Sequence, residues 1–127
     1  MIELQIQATL PSLNTFVKNH WAQYHRQRKE WGQLVMVAKV QAHVRGDPKY
    51  SRVRLEIERH SARPIYDEDN LQAGRKFLCD ALVQNGLISD DSTDVITECR
   101  VTQRKTTKAE AKTVVRIYPA PAPPTDQ

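Results

Sequence analysis

Residues 53–58 read Val53-Arg54-Leu55-Glu56-Ile57-Glu58, so an apolar residue and a charged residue alternate along the whole stretch. This period of two predicts a strand with one buried face. A loop over residues 61–68 follows, and Asp69 and Asn70 then offer the short polar side chains that accept free amide hydrogens at the start of a helix. Gly86 can close that helix because glycine readily adopts the left-handed conformation. The inward stripe of this helix is predicted to comprise Leu71, Gly74, Leu78, Leu82 and Asn85.

The same reasoning assigns the elements on either side of this unit. Residues 2–10 alternate like a strand and stop at Pro11, and residues 20–44 repeat apolar residues at helical spacing. β-Branched residues alternate at 95–102 and 113–118, and the polar link at 105–108 is typical of a hairpin. The predicted order is β-α-β-α-β-β, which favours the α+β class with a single mixed β-sheet covered by two main helices.

The length of 127 residues, 39% of them hydrophobic, suffices for one compact core. We predict one domain over residues 1–118 and a disordered proline-rich tail over residues 119–127. The longest apolar run, at residues 34–40, is interrupted by Lys39 and is far shorter than the roughly 20 residues that span a bilayer. The first residues also lack the basic and apolar segments of a secretion signal. We therefore expect no membrane partner and a cytoplasmic location.

Charge is distributed unevenly along the chain. Residues 1–64 carry 11 Lys/Arg against 5 Asp/Glu, and residues 99–127 carry 6 against 2. Residues 65–98 reverse the balance, with 2 Lys/Arg against 8 Asp/Glu. Basic segments attract polyanions such as nucleic acid, whereas clustered acids need either full exposure to water or a bound cation. Each segment alone is also consistent with an ordinary solvated surface.

Soft metal ligands are poorly placed in this sequence. Cys79 and Cys99 lack the Cys-x-x-Cys spacing of zinc and redox sites, and they are too few for a disulfide framework. His20 and His25 are five residues apart, rather than the four that place two ligands on one helical face. We predict two reduced core cysteines and no zinc.

The acidic segment contains two pairs of carboxylates that suit a hard ion. Asp67 and Asp69 point the same way if the backbone there is extended, and Asp90 and Asp91 follow the second helix. Oxygen ligands in this number suit Mg²⁺ or Mn²⁺. A helix of about 16 residues is about 24 Å long, so the pairs meet only if the chain folds back after Gly86.

A purely structural interpretation of these acids stays open. Asp67 and Asp69 are also what a helix cap requires, and Asp90 and Asp91 are common turn residues. Lys76 lies on the same helix face as Asp69 and four residues before Asp80, so it either serves a phosphate or pairs with Asp80. Arg75 is the nearest rival cation, but the predicted stripe turns it inward.

Taken in order, these residues resemble the RusA-type Holliday junction resolvases, many of them encoded by phages and prophages. The resemblance rests on Asp67-x-Asp69-Asn70-Leu71, Lys76, Asp80-Ala81-Leu82, Gly86-Leu87-Ile88 and Asp90-Asp91-Ser92, and on Pro11-Ser12-Leu13-Asn14 near the start. The match is dense over residues 66–92 and looser elsewhere. In the commoner family pattern the lysine falls four residues after the second aspartate, where this chain has Ala73.

The resemblance implies a homodimeric, Mg²⁺-dependent endodeoxyribonuclease that resolves four-way DNA junctions by paired symmetric nicks in recombination and repair, with Mn²⁺ as a substitute ion. Carried over by position, the metal ligands and catalytic carboxylates are Asp67, Asp69 and Asp91, and the catalytic lysine is Lys76. Asn70, Asp90 and Asn14 are candidates for supporting roles. A homodimer also follows from geometry, because symmetric cleavage needs two sites related by a two-fold axis.

Charge alone nominates the groups that would bind branched DNA. They are Arg26, Arg28, Lys29, Arg104, Lys105 and Lys108. Nucleotidyl or glycosyl transfer also uses Asp-x-Asp with a divalent ion, but only four glycines are present and none forms a nucleotide loop, so no nucleotide cofactor is expected. The alternatives are a non-catalytic module that binds or assembles on branched DNA, and a nuclease that prefers forks or flaps.

Overall fold

The computed structural model describes residues 1–11 and 20–121, which contain four strands and three α-helices. They are β1 (Ile2–Ile6), α1 (His20–Gln41), β2 (Val53–Ser61), α2 (Glu68–Ala73), α3 (Arg75–Gln84), β3 (Ile96–Lys105) and β4 (Lys112–Pro119). A 3-10 turn at Lys108–Glu110 separates the last two strands. The predicted α+β class with a single mixed sheet is confirmed, and the predicted second helix is divided into α2 and α3.

The four strands form a sheet in the order β1-β4-β2-β3. β2 pairs with β3 in parallel, and β4 runs antiparallel to both β1 and β2. The predicted hairpin at residues 105–108 is therefore wrong, because β2 lies between β3 and β4. The link instead crosses the end of β2, where the Thr106 amide donates to the Ser61 carbonyl at 2.8 Å. β2 suits the central position because it can bury its apolar side chains and form hydrogen bonds along both edges. Nothing in the polar link between β3 and β4 indicates that β2 lies between them.

The helices cover one face of this sheet, and the core lies between the two layers. Along residues 53–58 each buried residue is followed by a more exposed one, as the alternation predicts, whereas Arg59, His60 and Ser61 are all buried. The largest fully buried side chains are Leu4, Ile6, Leu10, Leu55, Ile57, Leu78, Leu82, Leu87, Ile88, Ile117, Val35 and Val53. Burying a leucine or isoleucine side chain contributes about 1.5–3 kcal/mol, so this layer is the main source of stability.

The break between α2 and α3 occurs at Gly74, which touches the segment after β1. A Cβ atom built on Gly74 would lie 2.2 Å from the Pro11 carbonyl oxygen. The predicted inward stripe is otherwise confirmed: Leu71, Gly74, Leu78 and Leu82 are buried. The fifth member, Asn85, is half-buried, and its side-chain amide donates to the Gly32 carbonyl at 3.0 Å.

Both long helices end in a left-handed residue. Gly86 has φ +69° and follows α3, as predicted. α1 ends at Gln41, earlier than the predicted residue 44, and there His43 adopts φ +59°. The Val44 amide donates to the Lys39 carbonyl at 3.2 Å, which closes the last turn before Gly46 is reached.

The C-terminal strand continues slightly beyond the predicted domain boundary at residue 118. Pro119 pairs with Val53, and the Ala120 amide donates to the Arg52 carbonyl at 2.9 Å. Residues 122–127 of the predicted tail lie outside the described residues. No helix among the residues described combines the length and apolar composition needed to cross a bilayer.

The uncovered face of the sheet carries a network of ion pairs. Arg116 contacts Glu3 at 2.9 Å and also contacts Glu58, which in turn contacts His60 at 3.0 Å. The hydrogen bond from Arg116, and after it the one from His60, lowers the pKa of Glu58 below its usual 4.5. Ionised Glu58 therefore stabilises the folded state, and this contribution is lost as the pH falls through the lowered pKa.

We expect Glu58→Gln to lower the free energy of unfolding by about 1 kcal/mol at pH 7 and to flatten its dependence on pH below about 4.5. Below the folded-state pKa the wild type also carries a neutral Glu58, so the difference between the two proteins should shrink there. Urea unfolding from pH 3 to pH 7 measures this. Glu30→Gln, at an exposed position on α1, is the matched control. An equal loss at pH 3 and pH 7 would contradict the assignment.

Candidate active site

A cavity of about 900 Å³ opens where α1, the junction of α2 and α3, the loop after α3 and the start of β3 meet. Its wall combines aromatic and apolar groups with both signs of charge. The lining residues are Tyr24, Gln72, Ala73, Arg75, Lys76, Phe77, Cys79, Asp91, Thr93, Ile96, Thr97, Glu98 and Cys99. Two of the residues predicted for the site, Lys76 and Asp91, lie in this wall, although most of α3 separates them along the chain.

Asp91 reaches the cavity because the chain folds back after α3. Leu87 and Ile88, the residues that follow the left-handed turn at Gly86, are only 2% and 1% exposed. Their burial holds the loop against the core, and Asp91 then lines the same cavity as Ala73 and Lys76. The chain thus turns back as far as the start of α3. Asp90 is exposed beside Asp91.

Asp67 is the cap of α2. Its backbone is extended, and its Oδ1 accepts the amides of Asp69 at 2.9 Å and Asn70 at 3.2 Å. The predicted cap at Asp69 and Asn70 is thus two residues late. Asp69 already belongs to the first turn of α2, so the extended backbone that would align the two carboxylates is found at Asp67 alone. The capping role and a ligand role are compatible for Asp67, because both cap bonds use the same oxygen.

The two acidic segments do not form a closed site in the described part of the chain. Among residues 1–11 and 20–121, no three His, Cys, Asp or Glu side chains are grouped so that they could hold a metal ion. Asp67 and Asp69 are exposed and are not part of the cavity wall. Asp69 nevertheless lies three residues before Gln72, about 5 Å along α2 from a residue that shares the cavity with Asp91.

The donor chemistry of these residues suits a hard divalent ion. Asp67, Asp69 and Asp91 are exposed carboxylates, which are the ligands that Mg²⁺ and Mn²⁺ prefer. The adjacent thiols are soft and protonated. Burial, and after it the neighbouring Cys99, raises the pKa of Cys79 to about 12. Burial also raises the pKa of Cys99, against an opposing effect of Arg75. Both cysteines are free thiols, as predicted.

Two cations reach this cavity from the start of α3. Lys76 is exposed, and its Nζ lies 5.9 Å from the centre of the Tyr24 ring. Arg75 is exposed and interacts with the Cys99 thiol, so the prediction that it faces the core is wrong. Arg75 is the first residue of α3, and its side chain lines the cavity instead of the closed core. Arg75 is therefore a real alternative to Lys76 as the cation of the site.

The residues nominated for DNA binding fall into two groups. Arg26, Arg28 and Lys29 are exposed on α1, and Arg104, Lys105 and Lys108 are exposed at and beyond the end of β3. Asn70 is half-buried in α2, with its amide on the Asp67 cap. Asn14 lies outside the described residues, as does most of the motif at residues 11–14.

Sequence reasoning missed several residues of the cavity wall. Tyr24 lies in the apolar repeat that predicts the first helix, and Glu98 lies in the alternating segment at residues 95–102, so neither was singled out for a site. The sequence does offer a signal for Glu98, because this acid lies near the start of the strand that follows the acidic loop. No local signal distinguishes Tyr24 from the other apolar residues of its helix.

Comparison with protein-family models and with curated proteins gives no match for this chain.

Proposed function

We propose that this chain is a divalent-metal-dependent endodeoxyribonuclease that nicks four-way DNA junctions as a homodimer, in the manner of the RusA-type resolvases that its motifs resemble. The observation that carries the proposal is the meeting of Asp91 and Lys76 in one cavity, next to the helix that begins with Asp67 and Asp69. Lys76 and Asp91 lie about one helix length apart along the chain, and neither helix capping nor turn formation requires them to share a cavity.

Each residue has a distinct task in this proposal. Asp67, Asp69 and Asp91 would hold Mg²⁺, which would activate water and offset charge on the phosphoryl group. The amides of Asp69 and Asn70 fix the orientation of Asp67. Lys76 stabilises the negative charge that develops on the phosphate oxygens during hydrolysis. The basic residues at the end of β3 hold the DNA backbone electrostatically.

A second candidate is a module that binds branched DNA without cutting it. The use of Asp67 as a helix cap favours this alternative, because a purely structural role explains that residue completely. This module would bind junctions in chelator as well as in Mg²⁺ and would never release nicked product.

The experiment that separates these functions is a cleavage assay with purified protein on four-way junction, fork, flap and linear duplex DNA, in Mg²⁺ and in chelator. Nicking of the junction in Mg²⁺ alone supports the nuclease. Junction binding without nicking in either buffer supports the module, and stronger nicking of forks or flaps assigns a different substrate to the same site.

We expect Lys76→Ala to slow junction nicking about 100-fold, because the lost charge would otherwise stabilise the transition state. Mn²⁺ binding should be largely retained, since Lys76 carries no ligand oxygen. Single-turnover rates measure the effect, and Arg75→Ala is the matched control on the neighbouring position. A larger loss for Arg75→Ala than for Lys76→Ala would transfer the role to Arg75.

A further inference from the structure

The outer edge of β3 is a long strand edge that nothing covers in the described part of the chain. β3 has ten residues, pairs with β2 on one side, and ends the sheet. The other edge strand, β1, has only five residues. Exposed strand edges present free amide and carbonyl groups that pair readily with another strand, and a long edge does so more readily than a short one. β3 is therefore the side on which this sheet can grow.

The direction of the backbone groups follows from the pairing of β3 with β2. Because the Thr106 amide donates to the Ser61 carbonyl, the even-numbered residues of β3 from Glu98 onward turn their amide and carbonyl groups toward β2. Cys99, Val101 and Gln103 then turn theirs toward the free edge. Within residues 1–11 and 20–121, no backbone hydrogen bond outside the sheet uses these groups.

The sequence of this edge is self-complementary. In an antiparallel pair of two β3 strands centred on Val101, Cys99 lies opposite Gln103 and each Val101 lies opposite the other, so every outward group finds a partner. Glu98 then lies opposite Arg104, once on each side of the centre. Both side chains are exposed on the uncovered face of the sheet. If one β3 strand shifted by one residue, the outward amide and carbonyl groups of each strand would lie opposite residues of the other strand whose groups point toward β2, so they would not bond.

We propose that a second copy of this chain pairs antiparallel along β3, centred on Val101, with Glu98 of each copy beside Arg104 of the other. The interface joins the two sheets into one continuous sheet with a two-fold axis. For comparison, centring β1 on Leu4 would place Glu3 opposite Gln5 and create no opposite-charge pair. Charge complementarity thus favours β3 as well as its length.

The interface leaves the cavity unchanged. The Glu98–Arg104 pairs lie on the uncovered face of the sheet, whereas Asp91 and Lys76 line the cavity on the helix-covered face. The role of this interface rests on the proposed function, because the dimer would supply the two symmetry-related sites that paired nicking needs. Its test needs neither DNA nor metal, so the two proposals fail separately.

The test is sedimentation equilibrium of the purified full chain with a charge-swap cycle. Wild type should be dimeric, and Glu98→Arg and Arg104→Glu should each weaken dimerisation about tenfold or more, because each creates two like-charge pairs. The double variant should recover most of the loss. Lys105→Glu is the matched control: it makes the same charge change opposite neutral Thr97 and should have little effect.

Val101→Pro provides a second variant with a different mechanism. It removes an amide that points outward, so it should block pairing while leaving the bonds to β2 intact. A thermal melt confirms that each variant is folded. A monomeric wild type, or a double variant no better than the single ones, would overturn the interface. A monomer that still nicks junctions would overturn the interface alone, and a dimer that never nicks would overturn the nuclease alone.

Discussion

Replacing Asp91 with asparagine is expected to abolish magnesium-dependent nicking, with a loss of about 1,000-fold or more, while junction binding survives or improves. Asparagine keeps the size of the side chain but removes the negative charge that a hard divalent ion requires. Three carboxylates without an ion would repel the DNA phosphate, so removing one of them lowers that repulsion in the binding step. Single-turnover cleavage and gel-shift binding in chelator measure the two effects separately.

The control for this variant is Asp94→Asn, which makes the same change at an exposed aspartate three residues further along the same loop. It should nick at nearly the wild-type rate. Asp69→Asn should reproduce the loss seen for Asp91→Asn, because the account places both carboxylates on one ion. Wild-type nicking by either Asp69→Asn or Asp91→Asn would remove that residue from the site.

Gly74→Ala is expected to destabilise the fold by about 3 kcal/mol, at the upper end of what inserting one carbon into a packed position costs. The new Cβ would lie 2.2 Å from the Pro11 carbonyl oxygen and 3.0 Å from Leu10 Cγ. That segment cannot yield easily, because the Leu10 amide donates to Thr113 Oγ1 at 3.1 Å and its carbonyl accepts Arg59 Nε at 2.7 Å. The gain in helix propensity of alanine, at most about 1 kcal/mol, does not offset the clash.

The matched control for this variant is Gly32→Ala in α1. Its Cβ would meet Gln84 Oε1 at 2.7 Å, the end of a flexible and exposed side chain that can move aside. Urea unfolding should show no loss, or a gain of up to about 1 kcal/mol from helix propensity. Equal stability of Gly74→Ala and wild type would show that the contact between Gly74 and Pro11 is looser than described.

The parts of the fold that the sequence predicted are those governed by local patterns. The alternation in residues 53–58, the stripe from Leu71 to Leu82 and the left-handed Gly86 all appear as expected. The false hairpin arose because a polar link between two alternating segments looks the same whether or not a third strand inserts between them. Strand order depends on contacts between distant residues, and β2 takes the central position because both of its edges can be paired.

The candidate site was predictable to a similar extent. Residue type and order nominate the acids and Lys76, whereas the position of Asp91 in the cavity wall depends on a fold-back that the buried pair Leu87 and Ile88 produces. The inward prediction for Arg75 failed because helix periodicity does not tell where the core ends and a cavity begins. The prediction that Asp67 and Asp69 point the same way required an extended backbone at both residues. The helix instead starts two residues earlier than Asp69 and Asn70 indicated.

The central claim is that residues before α2 and residues after α3 bind one divalent ion together. Its most direct test is amide NMR of the ¹⁵N-labelled protein during titration with Mn²⁺, whose paramagnetism broadens signals of nearby nuclei. The account predicts that the amides of residues 67–70 and of residues 90–92 broaden together at the same Mn²⁺ concentration, and that Asp91→Asn suppresses both effects. Broadening of one segment without the other, or of neither at millimolar Mn²⁺, would contradict it.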